Sequence, residues 1–143
     1  MSILIRELEK NDLQRGFLDV LDALTDVKLS QDDAIQILGR LAPNQHIYVA
    51  LDGDRVIATT SLLVEQKFIH SGGRVGHIED VAVAKDVQGR GVGSDLVRFA
   101  LDQARKMNCY KVILHCKPEL RAFYGALGFR EANVGMRIDL TSK

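Results

Sequence analysis

The stretch Gly76–Phe99, GHIEDVAVAKDVQGRGVGSDLVRF, decides how this chain folds. It opens as a strand, passes through a glycine-rich turn and leaves as a helix. Ile78, Val81 and Val83 are β-formers in a run that alternates only loosely, which reads as a largely buried strand. After the turn Gln88-Gly89-Arg90-Gly91-Val92-Gly93, Val92, Leu96, Val97, Ala100, Leu101 and Ala104 recur on one helical face. Clustered glycines let the backbone bend tightly and approach a ligand, because no Cβ stands in the way. The first amides of the following helix lack partners inside it and carry the positive end of its dipole. Such a turn suits phosphate or pyrophosphate. The plain alternative is a strand-to-helix turn that binds nothing.

Two familiar phosphate loops do not fit. A Walker A loop ends in Gly-Lys-Ser/Thr, and Gly93-Ser94 has no lysine. A dinucleotide fingerprint is spaced G-x-G-x-x-G near the start of a βαβ unit. This loop reads G-x-G-x-G, lies late in the chain and follows a strand carrying Glu79-Asp80.

Upstream, Ser2–Leu8 alternates apolar and charged residues as an opening strand. Asn11 or Asp12 can cap a helix with Leu13, Phe17, Leu18, Leu21 and Leu24 on one face. Ser30 with Asp33 starts a second helix, with Ala34, Ile35, Leu38 and Leu41 inward. His46–Leu51 is a strand, Asp52-Gly53 a hairpin signal, and Arg55–Phe68 the return strand. Ser71-Gly72-Gly73 turns into the central strand Arg74–Ala84. Downstream of the third helix, roughly Gly91–Met107, Lys111–His115 is a short strand, apolar on both faces at Val112-Ile113-Leu114. Pro118 suits the first turn of a helix through Leu127, with Gly128 just past its end. Val134–Leu140 closes the chain as a strand with Met136, Ile138 and Leu140 on one face. The whole predicts one α/β (α+β) domain over residues 1–143, with a mixed sheet, antiparallel first and parallel across the third helix.

Hydrophobic residues make up 46% and charged residues 27%, an ordinary globular balance with room for one core. Lys+Arg equals Asp+Glu at 19 each, so no global field favours nucleic acid or an acidic membrane, and an anion must be held by local geometry. Cys109 and Cys116 match no zinc spacing, which implies reduced thiols and no metal site. No apolar run reaches transmembrane length, so a cytoplasmic location is expected. Ser142-Lys143 lacks only a final leucine to form a peroxisomal address, which would change that expectation.

The motifs carry a resemblance. Q-x-x-G-x-G between strand and helix resembles the acetyl-CoA loop of the GNAT N-acetyltransferase superfamily, and Ala122–Phe129 (AFYGALGF) resembles its "FY…GF" helix. Leu24-Thr25-Asp26-Val27, Glu65–His70 (EQKFIH), Gly76–Val81 (GHIEDV) and Asn108–Leu114 (NCYKVIL) together resemble the glucosamine 6-phosphate N-acetyltransferases, over nearly the whole chain. This resemblance implies a GNAT-type, mostly antiparallel sheet flanked by helices, with the acetyl-CoA loop between the central strand and the third helix. It implies acetyl transfer from acetyl-CoA to D-glucosamine 6-phosphate, feeding UDP-N-acetylglucosamine synthesis, by homodimers with active sites at the interface.

The implied site follows residue by residue. The pyrophosphate takes the amides of Gln88, Gly89, Arg90, Gly91, Val92 and Gly93, and the pantetheine arm pairs with the backbone of Val81, Ala82 and Val83. Tyr124 is the partner of the leaving thiolate; its bland alternative is a core aromatic. Glu79 and Asp80 hold the ammonium and hydroxyls of the sugar, although strand alternation would send one to each face. The family's acidic residue after Val112-Ile113-Leu114 is replaced by His115, which a neutral imidazole could serve as acceptor, or whose role passes to Glu79. Lys67, His70 and Lys111 match substrate positions, as does Thr25. A gapless count puts Asp139 where the family has its phosphate arginine, so Arg137 is preferred. The alternatives are a GNAT enzyme for another amine, a non-catalytic acetyl-CoA-binding module, and a nucleotide binder.

Overall fold

Five strands form one sheet in the order β1-β2-β3-β4-β5 in the computed structural model, which describes residues 2–142. The peroxisomal expectation rests partly on Lys143, outside the described residues. The strands are β1 (Ile3–Glu7), β2 (Gln45–Asp52), β3 (Arg55–Gln66), β4 (Arg74–Val83) and β5 (Cys109–Ile113). Neighbours from β1 to β4 run antiparallel, and β4 and β5 are parallel. The sheet is the expected mixed one, with β3 rather than β4 as its middle strand. The helices are α1 (Phe17–Leu21), α2 (Gln31–Gly39), the single turn α3 (Ile69–Gly72), α4 (Val92–Lys106) and α5 (Arg121–Gly125).

The first expected helix is broken. Lys10–Gln14 forms a 3-10 turn, and Gly16, at φ 104°, separates it from α1. A Cβ at Gly16 would stand 3.2 Å from the Val56 carbonyl oxygen, so the chain passes close to β3 here and needs glycine for both reasons. Asp12 does not cap an exposed helix. It is fully buried, and the Arg6 guanidinium grips both its oxygens at 2.7 and 2.9 Å. The second helix starts as expected, with the Ser30 hydroxyl accepting from the Asp33 amide at 3.0 Å. Ala34 is buried there, whereas Ile35 is exposed.

α4 is the helix that follows the glycine loop. Val92, Leu96, Val97, Ala100 and Ala104 are buried on one stripe against the sheet, as their spacing predicts. Truncating the fully buried Leu96 to alanine costs about 3 kcal/mol on the usual scale of such cavities.

Two downstream expectations change. β5 begins two residues earlier than expected and ends at Ile113, so Leu114 and His115 lie beyond it. As an edge strand it leaves Ile113 exposed rather than buried on both sides. Val134–Leu140 forms no strand: Val134, Met136, Ile138 and Leu140 are 82–93% exposed. Alternation supplies the side chains of a strand, but a strand also needs a backbone edge to bond, and this segment meets none among the described residues.

Candidate active site

The site is built on a break in β4. Thr59 stands opposite Ala82 and Ser61 opposite Glu79, so one residue of β3 faces two of β4, Asp80 and Val81. This is a β-bulge, and Asp80 takes φ 52°, rare for a side-chain-bearing residue. The strand changes parity across it. A Cβ at Gly76 would point at Ala104 of α4, while Val83, an odd position, touches Gly93 at the start of α4.

The bulge corrects the expectation that Glu79 and Asp80 point to opposite faces. Cross-strand partners share a face, so Glu79 faces the same side as Ser61. Ser61, Thr59 and Asp80 together line a cavity of about 150 Å³ between the sheet and the leucine-rich faces of α1 and α2. Both carboxylates thus belong to one face, and both residues are exposed at its opening.

A second break lies alongside. The β4–β5 ladder runs from Arg74 opposite Cys109 to His77 opposite Ile113 and then ends. Beyond it the strands part, and the backbone of Val81, Ala82 and Val83 keeps only its β3 neighbour. This leaves a slot for an extended ligand to bond as an added strand.

The glycine loop closes the far end of the slot. Gly89 and Gly91 both have φ 82°, and Gly91 is the N-cap of α4, with no side-chain cap on its first amides. These amides are available to an anion. The three glycines have different reasons. Gly89 and Gly91 supply the backbone sign, with open space beside them, while a Cβ at Gly93 would stand 3.3 Å from Val83 and 3.6 Å from the Phe123 ring. Gln88 lashes the loop to the strand, its side-chain amide donating to the Val83 carbonyl at 3.0 Å. Arg55 holds Asp86 in the preceding turn through both carboxylate oxygens, and this pairing keeps the Asp86 carboxyl below the usual range.

α5 packs against the start of α4 through Phe123, whose ring lies 3.6 Å from where a Cβ on Gly93 would stand, and Tyr124 follows it in the chain. Tyr124 is buried, edge-on to Phe123 at 4.9 Å and to Phe129 at 5.8 Å. Burial, and then the nearby Cys116, push its phenol pKa up, so it stays protonated at neutral pH and can donate.

The remaining expected residues are not gathered here. Lys111 is level with Val75, five residues before Asp80, or about 16 Å along the strand. Lys67 pairs with Glu65 at 3.1 Å, and Glu65 also holds His77 at 2.9 Å. The His70 ring lies tilted at 31° against Tyr110, 4.2 Å between centroids, and the Lys111 ammonium lies 5.7 Å from the centre of the same ring. Lys67 beside Glu65, and His70 and Lys111 around Tyr110, lie near the start of β4, the end opposite the glycine loop. Thr25 is exposed after α1. Arg137 is exposed on the C-terminal segment and bonds Asp139 at 2.7 Å. His115 is exposed beyond β5, against Gly135. Among the described residues, no group of His, Cys, Asp or Glu is arranged to hold a metal, and no helix is long and apolar enough to cross a membrane.

Residues 2–129 match the family model described as the acetyltransferase (GNAT) family. The chain belongs to the GNAT acetyltransferase family. As a GNAT protein it is an acyltransferase, and the glycine loop, parted strands and bulge fall within the matched region. It is 43% identical, over 96% of its length and 87% of the relative's, to a rice (Oryza sativa subsp. japonica) protein named probable glucosamine 6-phosphate N-acetyltransferase 2. It is 38% identical to the Candida albicans glucosamine 6-phosphate N-acetyltransferase, over 92% of this chain and 91% of that one. The crystal structure of the Arabidopsis thaliana glucosamine-6-phosphate N-acetyltransferase superposes with a TM-score of 0.93 at 30% identity, over 99% of this chain and 100% of the other.

Proposed function

We propose that this GNAT chain transfers acetyl from acetyl-CoA to the 2-amino group of D-glucosamine 6-phosphate, in the synthesis of UDP-N-acetylglucosamine. The observation that carries this reading is the bulge, which sets Glu79 and Asp80 on one face beside the slot between β4 and β5. The names of relatives at 38–43% identity support the phosphorylated amino sugar as acceptor.

The pyrophosphate rests on the amides of Gln88 to Gly93, and the pantetheine arm pairs with Val81, Ala82 and Val83. Glu79 and Asp80 grip the ammonium and draw off its proton, freeing the nitrogen lone pair. The nitrogen attacks the thioester carbonyl directly, since a thioester is already activated. A β4 amide donates to the tetrahedral oxyanion, and the C–S bond then breaks. Tyr124 gives its proton to the departing thiolate, and the second proton that the nitrogen sheds as the amide forms restores the phenol. His115, Thr25 and Arg137 complete the sugar site.

The reading includes a homodimer with active sites at the interface. Within one copy, the Lys111 backbone lies about 16 Å along β4 from Asp80, and Lys67 and His70 lie toward that same end of the strand. The outer edge of β5 carries no partner strand, and a trough of about 320 Å³ runs beside it, lined by Leu101, Cys109, Val112 and Phe129 among others. The alternating Val134, Met136, Ile138 and Leu140 have the pattern of a strand that lacks an edge. A second copy supplies each with the other and brings its Lys67, His70, Lys111 and Arg137 to the acidic pair.

The test is thiol release from acetyl-CoA with D-glucosamine 6-phosphate against unphosphorylated D-glucosamine. Turnover strongly favouring the phosphorylated sugar is expected. Equal rates, or turnover only with other amines, overturn the assignment.

A further inference from the structure

We propose that Thr60, buried in the sheet, is the positioning residue that holds Glu79 and Asp80 on one face. The inference rests on the function proposed above. Thr60 is the β3 residue left opposite the bulge, and it is fully buried. Its cross-strand partner on β2 is Tyr48, whose ring meets Phe99 of α4 edge-on at 5.2 Å. Thr60 therefore points to the α4 face, away from the cavity that Asp80 lines. From there its hydroxyl donates to the Glu79 carbonyl at 3.1 Å.

That bond replaces the ladder pairing the bulge destroys. A residue at φ 52° persists only where its surroundings over-determine it. Threonine suits this position because its β-branch holds χ1 stiff and fills the core, while the hydroxyl is fixed in direction. Valine keeps the shape and removes the donor, leaving the part-buried Glu79 carbonyl without this partner. A strand relaxed into regular alternation sends Glu79 and Asp80 to opposite faces, because the side-chain period is two. Acetyl-CoA bonds to Val81, Ala82 and Val83 and to the loop, on the other side of the bulge, so its binding survives. The acceptor amine loses one of its two carboxylates.

The experiment compares wild type with Thr60→Val, Thr60→Ala and Thr60→Ser. For Val and Ala, kcat/KM for D-glucosamine 6-phosphate is expected to fall about 10- to 100-fold, the scale of misplaced catalytic groups. The acetyl-CoA Kd from calorimetry is expected to stay within about twofold, and serine to restore most activity. A folded Thr60→Val enzyme with wild-type kcat/KM overturns the proposal, as does equal loss in Val and Ser. A crystal structure of Thr60→Val or Thr60→Ala gives a readout independent of substrate. Asp80 leaving positive φ supports the proposal, and an unchanged bulge overturns it. Failure of wild type to turn over the phosphosugar strikes the proposed function alone.

Discussion

Gly135 lies against the imidazole of His115, so close that a Cβ at Gly135 would stand 3.0 Å from His115 Cδ2. This packing ties the start of the exposed C-terminal segment to the end of β5. Gly135→Val is expected to turn the ring aside and raise the sugar KM several-fold. The melting temperature should move by less than about 1 °C, because the segment is exposed. Paired kinetics and melts check it. His115→Ala is the companion variant, and unchanged turnover and sugar KM there would remove His115 from the site.

Tyr124→Phe keeps the ring packed between Phe123 and Phe129 and removes the donor. The expected loss is about 100-fold in kcat, the lower end for a general acid, with acetyl-CoA affinity nearly unchanged. Because burial holds the phenol protonated, the loss should be the same across neutral and mildly alkaline pH. A kcat ratio that collapses toward one between about pH 6 and 9 counts against Tyr124 as donor.

Gly91→Ala and Gly93→Val separate two uses of glycine. At Gly91, φ is 82° and the space is open, so alanine costs about 1 kcal/mol of backbone strain and distorts the first amides of α4. Weaker acetyl-CoA binding with modest loss of stability is expected. At Gly93, valine collides with Val83 and Phe123, so stability should fall first. Calorimetry against thermal melts distinguishes the two.

Arg6 and Asp12 anchor β1 to the turn after it. Asp12→Ala leaves the guanidinium without its buried partner and is expected to cost about 3 kcal/mol. Burial raises the Asp12 pKa, but hydrogen bonds from Arg6 and the Glu9 amide outweigh it, and the net shift is downward. A carboxyl with a lowered folded pKa gives stability that is complete above its unfolded value and lost as pH falls through the folded one. Urea melts should therefore show wild type losing more stability than Asp12→Asn as pH drops below about 4.

Ile138→Asp puts a charge on the apolar stripe of the C-terminal segment, where Ile138 is 82% exposed in the single copy. The monomer's stability should hardly change. Sedimentation is expected to show a shift from dimer to monomer, with loss of phosphosugar turnover. A variant that stays dimeric and active overturns the strand-exchange reading.

Local chemistry was legible in the residues themselves. The run Gln88–Gly93 announced a bend and a helix start, Ser30 announced its cap, and the spacing Val92, Leu96, Val97, Ala100 announced the buried face of α4. Each of these depends on neighbours a few positions away. The facing of Glu79 and Asp80 did not, because a bulge exists only in the count of β3 against β4, and one added residue reverses a period of two. The same reason hid the Thr60 bond to the Glu79 carbonyl, set the end of β5 at Ile113, and placed Lys111 near the end of β4 away from the acids. It also left Val134–Leu140 with strand side chains but no strand. The sequence by itself determined the turns, caps and apolar faces, because these are properties of a residue and its near neighbours. Only the tertiary structure decided which groups share a face, because register and edge are relations between segments distant in the chain.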